Sequence, residues 1–519
     1  MSAIVTDQLR ILNANNFVES FEDTTNSYYV FLGLPNPSPS TIGFGRTDGW
    51  DSSPPNPTDN FNYENHYKDT MIFAKKITSA NIRRLIRRVN WVRGTRYEMY
   101  RHDYSVDSPS ALTQSARLYD ANYYVINSDF RVYICIDNGS SGDNVLGNAS
   151  QDEPTFIDLE PSRAGESGDG YVWKYLFTVS PGDIIKFDST EYIAVPNDWS
   201  SSTDVQISNV RDNGDSSINE NQLKKVYIEN KGSGYSSGSG RFLNVLGDGE
   251  GATVVVDVNA TGQISNVQVS SGGKGYTYGI VDLGPIQPGG NIPVPAHLIP
   301  IIPPSLGHGY DLYKELGTDR VLVYARFDDS TKDFPVDTSF AQIGIVKNPT
   351  SFGSTAIFTG NEYSSLFSIK FSSVTGTPTV GQIIRQNVTD GTAYGYVASW
   401  DSETNVLKYF RDRSLYFNPT SFDQRDYVGI SSAGKVLDFQ SSANPVTTSG
   451  FSGTIDTGFT GITTNPSGNR IINLGVQFTN GLANPEINKG SGDVIYIDNR
   501  PLVSRNLRQK EDVKIILEF

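Results

Sequence analysis

The sequence predicts a mainly β protein with few, short helices in its loops, and three observations carry that expectation. The first is the run Gly168-Asp169-Gly170-Tyr171-Val172-Trp173-Lys174-Tyr175-Leu176-Phe177. A glycine turn opens onto a segment whose alternate residues Tyr171, Trp173, Tyr175 and Phe177 are all aromatic, and side chains alternate faces along a strand. Four rings on one face form either core or a contact surface, and nothing in the run suits a nucleophile, a base or a metal cage. The second is composition: 28 Tyr, 26 Phe and 49 Gly stand against 3 Met and 1 Cys, a mixture that favours short strands joined by turns. The third is period-two alternation along most of the chain, with helical periodicity nearly absent.

Taken in order, the clearest helical signal covers 79–90. Ile82, Leu85, Ile86 and Val89 fall at i, i+3, i+4 and i+7 behind Ser79 as N-cap, and Arg83, Arg84, Arg87 and Arg88 occupy the opposite face. A helical turn is also expected at 310–316. Strands are expected at 123–136, 172–179, 223–229, 252–258, 264–269, 320–327, 341–346, 406–411, 493–497 and 512–519, with turn clusters such as Asp137-Asn138-Gly139-Ser140 and Thr389-Asp390-Gly391-Thr392 between them. One repeat is visible: the segment from Val226 to Tyr235 recurs from Val267 to Tyr276, each copy a strand, a glycine turn and a tyrosine. With 252–258 between them, the copies make a small β module, closed by a Pro-rich run at 285–304 that reads as an extended linker. A second shift begins near Tyr363, where 381–384, 395–400 and 406–410 suggest a small meander. The Gly/Ser/Thr-rich tract 441–467 reads as loop.

A chain of 519 residues has room for roughly three or four domains. With 37% apolar and 19% charged residues, it belongs to neither the disordered nor the highly charged class. A net charge of −15 opposes nucleic acid and anionic membranes, so neither is expected as a partner. Cys135, the single cysteine, sits in the apolar run Val132-Tyr133-Ile134-Cys135-Ile136 and reads as a buried, inert thiol. It fits assembly in a reducing compartment. Residues 1–10 lack the apolar segment of a secretory signal, and no stretch has the ~20 apolar residues of a membrane span.

Catalytic patterns are hard to find. The four histidines, His66, His102, His297 and His308, have no metal-ligand spacing, and the best of them, His308, reads as a turn residue bonded to backbone. Gly272-Gly273-Lys274-Gly275 lacks the Ser/Thr and the upstream glycine of a phosphate loop. Asp137 to Asp143 and Gly247 to Gly251 lack the order of a calcium loop. No catalytic, cofactor-binding or metal-binding residue is therefore assigned, and neither a cofactor nor a small-molecule substrate is expected. The arginine stripe Arg83, Arg84, Arg87, Arg88 is the one concentrated positive patch, either a solvated helix face or a docking surface for an acidic neighbour.

Five segments in order resemble one family. They are Phe44-Gly45-Arg46-Thr47-Asp48-Gly49-Trp50 with the proline-rich 54–59; Arg87-Arg88-Val89-Asn90-Trp91 with Gly94-Thr95-Arg96-Tyr97; Gly168 to Phe177 with Glu191 to Pro196; Ile343-Gly344-Ile345-Val346-Lys347-Asn348-Pro349; and Gly492 to Pro501 with a terminal strand. Together they resemble the baseplate wedge subunit, the gene-eight product, of T-even-type contractile-tailed bacteriophages. The resemblance covers about 1–205, 306–360 and 485–519. It singles out Phe44, Gly45, Arg46, Trp50, Trp91, Gly168, Gly170, Tyr171, Trp173, Asn499, Arg500 and Pro501 as signature positions. It implies a β-sandwich core in parts 1–205, 306–360 and 485–519, with two small inserted β modules at 206–305 and 361–484.

It further implies a non-enzymatic virion protein of the tail baseplate, assembled in the host cytoplasm. Such a subunit forms a homodimer, packs with other baseplate wedge proteins, and takes part in the rearrangement that triggers sheath contraction. Two other readings compete: a receptor- or carbohydrate-binding tail protein, for which Tyr235 and Tyr276 would offer stacking rings, and a polysaccharide-degrading enzyme on a β scaffold.

Overall fold

In a computed structural model of the chain, residues 6–34, 50–59, 61–213, 222–289, 294–328, 339–411, 437–468, 470–503 and 509–519 are described here. Strand makes up 43% and helix 11%, so the mainly β expectation holds. The chain forms two compact units. One comprises Met1–Val18, Arg83–Leu322 and Ile516–Phe519; the other comprises Glu19–Ile82 and Val323–Ile515.

The first unit is built around an antiparallel sheet of Tyr124–Ile126, Arg131–Asn138 and Tyr171–Thr178. The rings of Tyr171, Trp173, Tyr175 and Phe177 are each at most 2% exposed. They are core, not a contact face. Tyr171 and Trp173 stack at 5.3 Å, and Tyr97 meets both edge-on, the offset and T-shaped geometries that ring quadrupoles favour. The turn before the strand needs its glycines, because Gly168 and Gly170 have φ of 68° and 88°. Asp169 locks it by accepting the Tyr171 N–H (2.9 Å) and the Gln151 N–H (2.8 Å). Cys135, opposite Trp173, is fully buried, and burial pushes its thiol well up.

Several sequence expectations are corrected here. The single strand expected at 123–136 is a hairpin. Asn127 accepts the N–H groups of Asp129 and Arg131, and Phe130 takes a φ of 58° at the tip. The helix expected at 79–90 is a short 3-10 turn, Ser79–Asn81, followed by a strand, Ile82–Arg87. Arg84–Arg87 pair with Tyr192–Val195. Ile82, Ile86 and Val89 are β-branched, and lateral pairing outweighs a weak helical preference. Helices form instead at Asp7–Ser20, Phe61–Thr70, Pro181–Lys186 and Val205–Asp212, and at Leu312–Leu316 inside the helical turn expected at 310–316. Among the described residues no helix is long and apolar enough to cross a membrane.

The glycine-repeat segment forms its own apolar cluster within the first unit. A four-stranded antiparallel sheet runs in the order Ile264–Lys274, Glu250–Val258, Gly238–Gly247, Gly279–Val281, and Lys225–Asn230 pairs with His297–Ile301. The Pro-rich run is thus not a plain linker, because a strand with a buried Leu298 and Ile301 lies inside it.

In the second unit, five antiparallel strands run in the order Glu362–Ser364, Met71–Ile77, Tyr28–Gly33, Phe340–Lys347, Asp493–Val503. The expected meander closes into a barrel. Phe367–Gly376, Phe451–Ile455, Val446–Thr448, Ile383–Val388, Gly391–Asp401 and Val406–Phe410 follow one another, and the last pairs back to the first. The tract read as loop at 441–467 supplies two of these strands, with Phe451 and Ile455 turned into the barrel core. Its short polar residues alternate with them on the outside.

Lys174 is the anomaly of the aromatic strand. It lies on the face opposite the rings, is buried, and donates to the Leu159 carbonyl at 2.6 Å. Burial, and then the charge of Lys224, push its pKa down to about 8 from 10.5, against the pull of Glu160 and Glu315. The unfolded chain therefore binds the extra proton between these values. Lysine's contribution is fully favourable only above about 10.5 and is lost as pH falls through 8. The Leu159 carbonyl keeps a second donor in Asn213 at 3.0 Å. Lys174→Met is accordingly expected to stabilise the protein at pH 7 by up to about 3 kcal/mol. It should also flatten the rise in melting temperature expected of the wild type from pH 8 to 10, as read by circular dichroism. A melting temperature that falls on substitution would contradict this.

Candidate interaction surface

The arginine stripe was the main candidate site, and the structure redistributes it. Arg83 pairs with Asp183 (3.0 Å) and lies over the Phe187 ring at 5.0 Å. Arg84, 2% exposed, donates to Asn15 Oδ1 (2.6 Å) and to Asn197, with its guanidinium 4.1 Å from the centre of the Tyr313 ring. Arg87 donates to the Ala121 and Tyr119 carbonyls at 3.0 and 3.3 Å. Arg88 reaches both oxygens of Asp188 at 2.7 Å and Asn90 at 2.8 Å. The expectation of a docking stripe rested on a helix that does not form. On a strand, neighbouring arginines alternate faces, and all four engage partners within their own unit.

The signature positions fall into two groups. Phe44, Gly45 and Arg46 lie outside the described residues. In the second unit Trp50 is buried and donates its indole N–H to the Arg500 carbonyl (2.9 Å), while Asn499 donates to the Pro55 carbonyl (2.9 Å) and Asp51 accepts the Leu502 N–H (3.0 Å). Segments some 450 residues apart are thereby bound together, with Pro501 exposed between them. In the first unit Trp91 donates to Ser150 Oγ at 3.0 Å, beside the Gly168, Gly170, Tyr171 and Trp173 strand.

The two repeat tyrosines are packed inward. Tyr235 accepts the Ala296 N–H (2.9 Å), and Tyr276 donates to the Val245 carbonyl (3.0 Å) and accepts the Ala252 N–H (3.2 Å). Neither ring offers a face to a sugar. A cleft of about 780 Å³ runs past Tyr276, lined by Tyr100, His102, Asp248, Glu250, Lys274 and Thr277 among others. Its polar groups bond mainly to one another: Thr277 to Asp248, Lys274 to Glu250, and the Ile302 N–H to His102 Nδ1. Burial holds His102 below its ordinary pKa.

Two buried carboxylates escaped the sequence reading. Glu315 contacts His308 Nδ1 (2.5 Å) and accepts the Gly309 N–H (2.6 Å), so His308 is a buried partner of a side chain rather than a backbone-bonded turn residue. Glu98 collects Ser110, Thr113 and the Asn122 N–H, gathering the loop that follows it. Both carboxylates tie loops, the usual use of a buried acid among hydrogen-bond donors. The signal that could have found Glu315 is its place between Tyr313 and Leu316 on the buried side of the Leu312–Leu316 turn, where Lys314 is the exposed residue. Among the described residues no three His, Cys, Asp or Glu side chains are grouped to hold a metal ion.

No protein-family model matches the chain. The chain is similar to baseplate wedge protein gp8 of Enterobacteria phage T4, with 26% identity over 218 residues. The match takes in 37% of this chain and 60% of that protein, less than two thirds of the relative's length. It supports a relationship to a baseplate wedge protein.

The environment of Arg84 yields a direct test. Reversing a buried guanidinium leaves a carboxylate against Asn15 Oδ1 and the Tyr313 ring, so Arg84→Glu should cost about 3–5 kcal/mol and lower the melting temperature of the isolated protein. Arg83→Gln, at a partly solvated pair, should cost under about 1 kcal/mol. A fully stable Arg84→Glu variant would return the arginine to the role of a surface contact.

Proposed function

We propose that the chain is a non-enzymatic structural subunit of a phage tail baseplate, built into its wedge. The observation that carries this reading is the match to the wedge protein. The meeting of two segments that carry the resemblance, at Trp50 and Arg500, is in keeping with it, since the two are far apart in sequence and bonded in the fold. In this reading 1–205, 306–360 and 485–519 supply the wedge-protein part, and 206–305 and 361–484 are insertions carrying added contacts. Insertion at loops is thermodynamically cheap when the ends are close.

The subunit forms a homodimer, bridges neighbouring wedge proteins in the virion after assembly in the host cytoplasm, and shifts with them when the baseplate triggers sheath contraction. Polar contacts of moderate size suit that exchange. The aromatic strand supports the role from within, as core, the first of the two uses its sequence left open. The carbohydrate-binding alternative loses the rings on which it depended, since Tyr235 and Tyr276 are buried.

The test is made on the encoding phage. Purified tails should contain the chain in fixed stoichiometry by mass spectrometry, and the isolated protein should scatter light as a particle of twice the chain's mass. Deleting the gene should leave no functional contractile tails. Tails that assemble and contract normally without it would overturn the proposal.

A further inference from the structure

The sheet of the glycine-repeat module is buried on one face and bare on the other. Val254, Val256, Leu243 and Val245 point inward. The alternate residues point outward, and there the register places Phe242 opposite Val255 and Leu246 opposite Ile280. Phe242 is 70%, Ile280 66%, Tyr278 59% and Leu246 55% exposed. Scattered apolar residues are ordinary on a protein surface, but here two apolar clusters, Phe242 with Val255 and Leu246 with Ile280 and Tyr278, share one sheet face with the polar Asn244 between them, and apolar groups gathered on one face among polar residues mark an interaction site.

The charges on the outward face are acidic; Lys274, which lines the cleft with Asp248, pairs with Glu250. Asp257 and Asp282 stand on the same outward face, by their register with Asn266 and with Asn244. Asp248 lies at the end of that face, where it accepts the Tyr278 N–H. Each carboxylate is fixed in place: Asp257 by Gly240 and Asn266, Asp282 by the Gly284 N–H, Asp248 by Thr277. The hydrogen bonds from Thr277 hold Asp248 down at about 2, so it is ionised at any physiological pH. Among the described residues none of the three has a cation within ion-pair distance, although acids elsewhere in this unit, such as Asp183, Asp188 and Asp137, are paired. On the four strands the two basic residues, Arg241 and Lys274, both have the parity of the buried residues.

We propose that this face docks a basic-flanked apolar segment of another protein, its apolar residues on Phe242, Leu246 and Ile280 and its cations on Asp257, Asp282 and Asp248. A second copy of the chain is the poorer occupant, because two such faces would oppose acid to acid in a molecule of net charge −15. The proposal goes beyond the baseplate reading and stands without it.

The test uses the full-length protein and two fluorescent peptides with the same apolar centre, one flanked by lysines and one by glutamates. Anisotropy should show the lysine-flanked peptide binding at least about tenfold tighter, with added salt eroding the difference. Phe242→Ser with Ile280→Ser should abolish binding without lowering the melting temperature, since both side chains are mostly solvated. Asp257→Asn with Asp282→Asn keeps the local hydrogen-bond acceptors and should remove the preference between peptides. Equal binding of both peptides, or binding of neither, would overturn the proposal. So would a dimer in sedimentation that Phe242→Ser with Ile280→Ser dissolves, since that would make the occupant a second copy.

Discussion

The structure depends on a constraint peculiar to tyrosine. A buried phenol ring contributes a large apolar area, but its hydroxyl must find a partner or cost free energy. This chain resolves the conflict the same way many times, by setting the hydroxyl against the backbone of a loop. Tyr171 accepts the Tyr97 N–H and donates to the Asn148 carbonyl, both at 2.8 Å. Tyr97 accepts the Val92 N–H and donates to Asn90. Tyr123, Tyr124 and Tyr133 donate to the carbonyls of Glu315, Arg87 and Phe156. In the second unit Tyr29 does the same with Gly360.

The consequence is that core and loops are not independent. Each ring that fills the interior also fastens a stretch of irregular chain at the core's edge, so the shape of the surface is set by packing beneath it. Burial pushes the phenols of Tyr100 and Tyr123 well above their ordinary range and that of Tyr119 to about 12, so these groups stay protonated donors at any physiological pH. Glu98 and Glu315 extend the device with buried carboxylates that accept several loop donors at once. A protein held by its neighbours at many points gains from loops of this kind, because contacts then form without first ordering a flexible segment.

Much of this was legible in the sequence, and where it was not the reasons are physical. The aromatic alternation from Tyr171 to Phe177 marked a strand correctly, because period two leaves few alternatives. Whether its rings were core or contact could not follow from that strand alone; it required the partners Tyr97 and Cys135, distant in sequence. The stretch from Ile82 to Val89 fits a helical period and lacks period-two alternation, and only the pairing with Tyr192–Val195 makes it a strand. The barrel strand Phe451–Ile455 was hidden by its small and polar residues: Ser452 and Thr454 face out, and Gly453 faces in, where a Cβ would meet the Phe371 and Phe451 rings. The Asp7–Ser20 helix is rich in asparagine, and its buried Ile11, Ala14 and Val18 make too thin a stripe to stand out. The acidic face of the repeat module was not read from the sequence, since bulges in the register decide which residues share a face.

Amide hydrogen exchange of the intact protein tests the central claim most directly, because it reads loop order without reference to any partner. If buried hydroxyls fasten the loops, the Val92 and Tyr97 amides should exchange as slowly as those of the strand Tyr171–Thr178, and Tyr171→Phe should release the Tyr97 amide while leaving the strand protected. Exchange of both loop amides at the rate of free peptide in the wild-type protein would contradict the account.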